Sequence, residues 1–161
     1  MGRRAFVALG GNLGDRGAHL AAARAALDAT DGVELVAASS EHETDPVGGP
    51  GGQGPFLNAV VELSVELGPR ALLERLLAIE AARGRDRARE ERWGPRTLDL
   101  DLLWMEGVDL REPDLVVPHP RLTSRAFVLA PLAELAPELE VGGRSVAAHL
   151  AALGAGAGEG A

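Results

Sequence analysis

Six arginines, Arg83, Arg85, Arg87, Arg89, Arg92 and Arg96, lead directly into Thr97-Leu98-Asp99-Leu100-Asp101-Leu102. Guanidinium groups neutralise phosphate oxygens through planar, often bidentate hydrogen bonds. Carboxylates supply the hard anionic oxygens that Mg²⁺ prefers. On a strand, Asp99 and Asp101 leave the same face, roughly 6–7 Å apart at Cα, while Leu98, Leu100 and Leu102 anchor the other face. Carboxylates so placed can share one cation or bracket two held ~3.5–4 Å apart. A solvated edge strand carrying two acids by chance is the plainer reading of an isolated Asp-x-Asp, but the arginines upstream favour the metal. They are offset only by Asp86, Glu90 and Glu91, leaving a local charge of +3 on a chain of net charge −8. A solvated charge run is the usual reading of such a segment. A loop that closes over a triphosphate and excludes water explains the excess better.

Other residues are weaker candidates. Phe56 and Asn58 share the more polar face of one strand, and an aromatic beside an amide can stack on and read a flat heterocycle. His119 stands between Pro118 and Pro120 with Arg121 and Arg125 close by, in reach of a phosphate or simply exposed. Gly10-Gly11-Asn12-Leu13-Gly14-Asp15 is a tight strand-to-helix turn without the full dinucleotide fingerprint. Trp93-Gly94-Pro95 makes a stiff turn before Arg96, and Trp93 itself fits a core cap. His19, His42 and His149 have no metal-ligand spacing. All sixteen basic residues are arginine. Without lysine, neither a Walker A loop nor a protein-kinase β3 lysine is available. Without cysteine, disulfides, thiolate nucleophiles and Cys-type zinc sites are excluded.

The elements that must position these residues follow from periodicity. Arg4 to Leu9 is an apolar run of buried-strand length, a helical stripe covers about Asp15 to Ala29, and Val33 to Ser39 reads as a second strand. The glycine- and proline-rich stretch from Asp45 to Pro55 is a loop, functional or disordered. Phe56 to Leu67 alternates as a half-buried strand. Gly68-Pro69 opens a helix with Leu72, Leu73, Leu76, Leu77 and Ile79 on its apolar face, ended by Gly84. Thr97 to Trp104 is the fourth strand. The order is βαββαβ, an α+β, ferredoxin-like core. Additional C-terminal helices are expected at Ser124 to Leu135, interrupted by Pro131, and at Val146 to Leu153. Residues 1–153 read as a single domain and 154–161 as a disordered Gly/Ala tail.

The segment Arg92-Trp93-Gly94-Pro95-Arg96-Thr97-Leu98-Asp99-Leu100-Asp101-Leu102-Leu103 resembles the signature of the 6-hydroxymethyl-7,8-dihydropterin pyrophosphokinase family of folate biosynthesis. Ala8 to Gly14, Phe56-Leu57-Asn58-Ala59, Val117-Pro118-His119-Pro120, Ser124-Arg125-Ala126-Phe127 and the stretch from Pro131 to Leu139 extend the resemblance over about residues 4 to 140. The resemblance implies diphosphate transfer from ATP to the pterin hydroxymethyl group, leaving AMP. It implies that Asp99 and Asp101 hold two Mg²⁺ ions, that Arg85 and Arg96 serve the transition state, and that Glu80, Arg87, Arg92, His119 and Arg125 contact ATP. The pterin would lie between Phe127 and Phe56, read by Asn58 and by the backbone near Thr44 and Val47, with Gly10 approaching from the first strand. Gly11 stands where the family commonly has Ser. The stretch from Gly84 to Arg92 runs one residue longer than in a familiar relative.

A nucleotide-holding regulatory module of the same fold would need no paired metal carboxylates. A two-metal nucleotidyltransferase would use them but release pyrophosphate instead of AMP. The acidic balance argues against nucleic-acid partners, and no run is apolar enough for a membrane. A cytoplasmic monomer acting on small molecules is the expectation.

Overall fold

The strand Arg3–Gly11 (β1) is apolar without alternation from Ala5 to Leu9, as expected of an inner strand covered on both faces. The computed structural model describes residues 2–45, 53–84 and 97–157. In it β1 lies between Phe56–Val65 (β4) and Asp99–Met105 (β5), antiparallel to both. Val33–Ala38 (β2) pairs with the second half of β4, and the short His42–Thr44 (β3) with its first half. The order β2-β4-β1-β5 is that of the ferredoxin-like fold, with β3 as an addition.

Helices Arg16–Asp28 (α1) and Pro69–Ala82 (α2) cover one face of this sheet. The Asp15 carboxylate caps α1 by accepting the Ala18 N–H at 3.1 Å. Their stripes meet Val7, Leu9, Val61, Leu63, Leu100 and Leu102 in the larger core. Leu98, Leu100 and Leu102 all belong to it, so the expected anchoring of the Asp strand holds. On α2 the buried positions are Leu72, Leu76 and Glu80, whereas Leu77, expected on the apolar face, is exposed.

A second core lies on the opposite face, built from Phe6, Val60 and Leu103 against Ala126–Leu135 (α3) and Val146–Ala157 (α4). This layer corrects the reading of β4 as half-buried: Asn58 and Val60 on its other face are buried as well. Pro131 lies inside α3, so the helix continues past it instead of breaking there. Helix α4 runs past Leu153 through Ala157, into the stretch that composition assigns to the tail. Residues 158–161 lie outside the described residues. Two hairpins were not foreseen, Leu110–Glu112 (β6) with Leu115–Val117 (β7), and Glu140–Val141 (β8) with Arg144–Ser145 (β9).

Candidate active site

In an antiparallel sheet, directly opposed residues share a face. The register places Asn58 opposite Gly10, and Gly10 opposite Asp99, so the three form one row across β4, β1 and β5. The next row is Val60, Ala8 and Asp101. Since Val60, Ala8 and Leu103 pack with α3 and α4, the two aspartates face the same side as that second core. Asp99 and Asp101 are half-buried.

Gly10 is the floor between the amide and the carboxylate. A Cβ built on it would stand 3.0 Å from Asn58 Oδ1, so a larger residue would crowd the space in which the amide works. Asn58 is 7% exposed, and its Nδ2 donates to Thr44 Oγ1 at 2.6 Å. Thr44 pairs with Phe56, which puts Phe56 two residues from Asn58 on the same face of β4. Phe127 sits in the first turn of α3, packed partly into the second core. The Arg125 guanidinium stacks over its ring at 5.5 Å.

His119 follows the cis Val117–Pro118 bond. Its N–H donates to the Leu103 carbonyl at 2.8 Å, holding it beside β5. Nδ1 accepts the Arg121 N–H at 3.1 Å, so the neutral ring carries its proton on Nε2. Burial pushes the imidazole below its ordinary value, Arg125 pushes it the same way, Asp99 opposes and Arg121 adds to the lowering. The ring is therefore a neutral N–H donor among two cations and a carboxylate.

Glu80 is 2% exposed, and its Oε2 accepts the Leu100 N–H at 2.7 Å. Leu100 separates the two aspartates, so Glu80 fixes the strand at the point from which both project. Arg85, Arg87, Arg92 and Arg96, together with Val47, lie outside the described residues. Of the remaining sequence-predicted residues, Gly10, Asn58, Thr44 and Phe56 cluster on the strands, and Asp99, His119, Arg125 and Phe127 gather by β5 and the start of α3. Glu80 stands behind β5.

Several positioning residues were not legible in advance. Asn12 Nδ2 donates to Gln53 Oε1 and to the Gly54 carbonyl, both at 3.1 Å. Arg16 donates to the Pro55 carbonyl and to Glu43, both at 2.9 Å. These contacts tie the turn after β1 to the entry of β4 and to β3. Arg83 Nε donates to His19 Nδ1 at 3.0 Å, joining the end of α2 to α1. At the other end of α3, Glu134 accepts the Ser40 N–H at 2.9 Å and meets His42 Nε2 at 2.5 Å. Glycine-rich turns and residues near proline were the available signals, but the partners are distant in sequence.

Among the described residues no three His, Asp or Glu side chains come together as a ready metal cage. Two neighbouring carboxylates on one strand face do suit Mg²⁺, which keeps several waters and takes its other ligands from substrate phosphates.

The model of the 7,8-dihydro-6-hydroxymethylpterin-pyrophosphokinase (HPPK) family matches residues 6–137. A 2-amino-4-hydroxy-6-hydroxymethyldihydropteridine pyrophosphokinase of Methylorubrum extorquens is 49% identical over 150 residues, 93% of each chain. Its namesake in Bacillus subtilis is 46% identical over 87% of this chain and 82% of its own. Among solved structures, the wild-type Plasmodium falciparum HPPK-DHPS with pteroate superposes with a TM-score of 0.75 at 13% identity. That match covers 99% of this chain and 44% of the other, and at this identity it speaks for the fold alone. With the family model matching most of the chain and these relatives nearly half identical to it, the chain belongs to the 7,8-dihydro-6-hydroxymethylpterin-pyrophosphokinase family.

Proposed function

We propose that this site carries out the reaction for which its family is named. The hydroxyl of 6-hydroxymethyl-7,8-dihydropterin attacks the β-phosphorus of ATP, an O–P bond forms, the bond between β-phosphorus and the α,β-bridging oxygen breaks, and AMP leaves. The observation that carries the reading is the row Asn58–Gly10–Asp99, a heterocycle-reading amide and an anionic oxygen on either side of a bare backbone.

Asn58 reads the pyrimidine edge of the pterin, with Phe56 and Phe127 as aromatic surfaces for the ring. Asp99 and Asp101 would hold Mg²⁺, which when bound neutralises the phosphate oxygens and polarises the phosphorus. His119, a neutral donor beside Arg125, hydrogen-bonds a phosphate oxygen without adding charge. Arg125 keeps its guanidinium stacked on Phe127 and thereby couples the nucleotide side to the pterin side. Glu80 positions β5 through Leu100. Arg85, Arg87, Arg92 and Arg96 supply the remaining positive charge, with Arg85 and Arg96 acting at the transition state. Transfer of this kind needs positioning and charge neutralisation more than a protein nucleophile, and the chain offers neither Cys nor Lys for one. The cysteine-free chain is no disulfide scaffold and fits the cytoplasm, where we take it to act as a monomer.

Chromatography of the nucleotides after incubation with MgATP, with and without the pterin, tests the reading. AMP that forms only with the pterin, matched by a diphosphorylated pterin, is the expected result. Free pyrophosphate would mark a nucleotidyltransferase, and ATP binding without turnover would mark a binding module.

A further inference from the structure

The side chain of Arg16 carries an inference that rests on the pterin reading and deepens it. The β3–β4 ladder ends at the pair Thr44–Phe56, the last residue of β3 and the first of β4. A terminal pair has a neighbour on one side only, and the ends of elements open first. The chain just before Phe56 is not in a strand, so its carbonyls need partners from elsewhere. Asn12 takes the Gly54 carbonyl at 3.1 Å, and Arg16 takes the next one. Arg16 Nη1 donates to the Pro55 carbonyl and Nη2 to Glu43 Oε2, each at 2.9 Å. Pro55 directly precedes Phe56, and Glu43 directly precedes Thr44. One guanidinium therefore joins the two chains at the open end of the ladder, in place of a further rung. We propose that Arg16 is a positioning residue for pterin binding, which holds the Phe56 ring in place without touching the ligand.

The approach is from behind the sheet. Thr44, Phe56 and Asn58 share the site face, whereas Glu43 and its partner Leu57 turn to the face covered by α1. Arg16 is the first residue of α1 and reaches the ladder from that side. Its place in the helix is electrostatically unfavourable, because a helix N-terminus carries partial positive charge and disfavours a cation. The first turn holds no acidic residue, and the capping Asp15 carboxylate is engaged by the Ala18 N–H. The two acceptors offset that cost. They lie 39 and 27 residues away, so Arg16 serves distant partners against the preference of its own helix. Such a breach of a local rule is characteristic of positions that serve a site.

The test compares wild type, Arg16→Gln, Glu43→Ala and the double variant in the full chain. Titration calorimetry measures dihydropterin binding in the presence of Mg²⁺ and a non-transferable ATP analogue, and binding of that analogue by itself. Urea unfolding measures stability. Arg16→Gln is expected to weaken dihydropterin binding about fivefold, the scale of one net hydrogen bond. The affinity for the ATP analogue should stay unchanged. The urea midpoint should be no lower than that of wild type, because the helix loses a misplaced cation. Glu43→Ala should weaken pterin binding by less, and the double variant should match Arg16→Gln, since Glu43 acts only through the fork. Unchanged pterin affinity in Arg16→Gln would overturn the proposal. An equal loss of analogue affinity would also overturn it, by making Arg16 a phosphate contact. A urea midpoint that falls in step with the affinity would reduce the fork to a structural tie, and additive losses in the double variant would separate Glu43 from it. Wild-type protein that binds the pterin but forms no AMP would refute the proposed reaction and leave the comparison of affinities intact. Wild-type protein that binds no pterin would overturn both.

Discussion

The two aspartates and the leucines between them divide labour at the level of single side chains. Leu98, Leu100 and Leu102 are at most 4% exposed, whereas Asp99 and Asp101 project from the opposite face. Asp101→Ala should therefore abolish pterin-dependent AMP formation and leave the urea midpoint close to that of the wild type. Near-normal turnover at saturating Mg²⁺ would remove the metal assignment. Arg96→Ala is expected to lower kcat by a factor on the order of 10³, as loss of other preorganised charge contacts does. An effect confined to KM would make Arg96 a uniform binding group instead. These residues were legible because a period of two and a cluster of like charge are visible in a row of letters. Asn12, Arg16 and His42 were not: their partners lie 41, 39 and 92 residues away, and only the closed sheet brings them together.

Among the elements, α2 shows how a sequence pattern can be read and still be misassigned in part. Leucines at 72 and 76 predict the next buried position of the stripe at 80, where the residue is Glu. The sequence reading puts Leu77 and Ile79 on that face instead, whereas the buried Glu80 carboxylate accepts the Leu100 N–H. Glu80→Ala would leave that N–H without its partner and should cost about 1–3 kcal/mol in urea unfolding. Glu80→Gln, which keeps an acceptor, should recover most of the loss, and equal loss in both would assign the effect to charge. Helix α3 is fastened at its far end by Glu134. The Ser40 N–H first, then His42 and the Ser40 hydroxyl, hold that carboxyl down to about 2, against an ordinary 4.5. The unfolded chain thus binds this proton more readily, so the stabilisation is complete above about pH 4.5 and fades as pH falls toward 2. Urea midpoints of wild type and Glu134→Gln should differ most at pH 6 to 7 and converge as the pH is lowered through that range. A gap that stays constant with pH would show that charge at Glu134 contributes nothing.

On the scale of the whole molecule, one sheet separates two cores, and only one of them was foreseen as a sheet-covering layer. The βαββαβ order follows from alternation and stripe length, but the burial of Val60 depends on α3 and α4, which join the sheet from beyond that core. No described helix is long and apolar enough to cross a membrane. The row from Asn58 through Gly10 to Asp99 spans two strand intervals, and neighbouring strands stand ≈ 4.7–4.9 Å apart, so the two ends are about 10 Å apart. The sheet is thus a ruler whose graduation is the backbone hydrogen bond, a length that side-chain substitution cannot alter. If the amide end grips the pterin as proposed, its hydroxyl reaches the carboxylate end only when the ligand's own length matches that interval. A hydroxyethyl homologue of the pterin should therefore bind nearly as well as the hydroxymethyl compound but turn over far more slowly. Equal kcat for the two would mean that the measure is taken elsewhere.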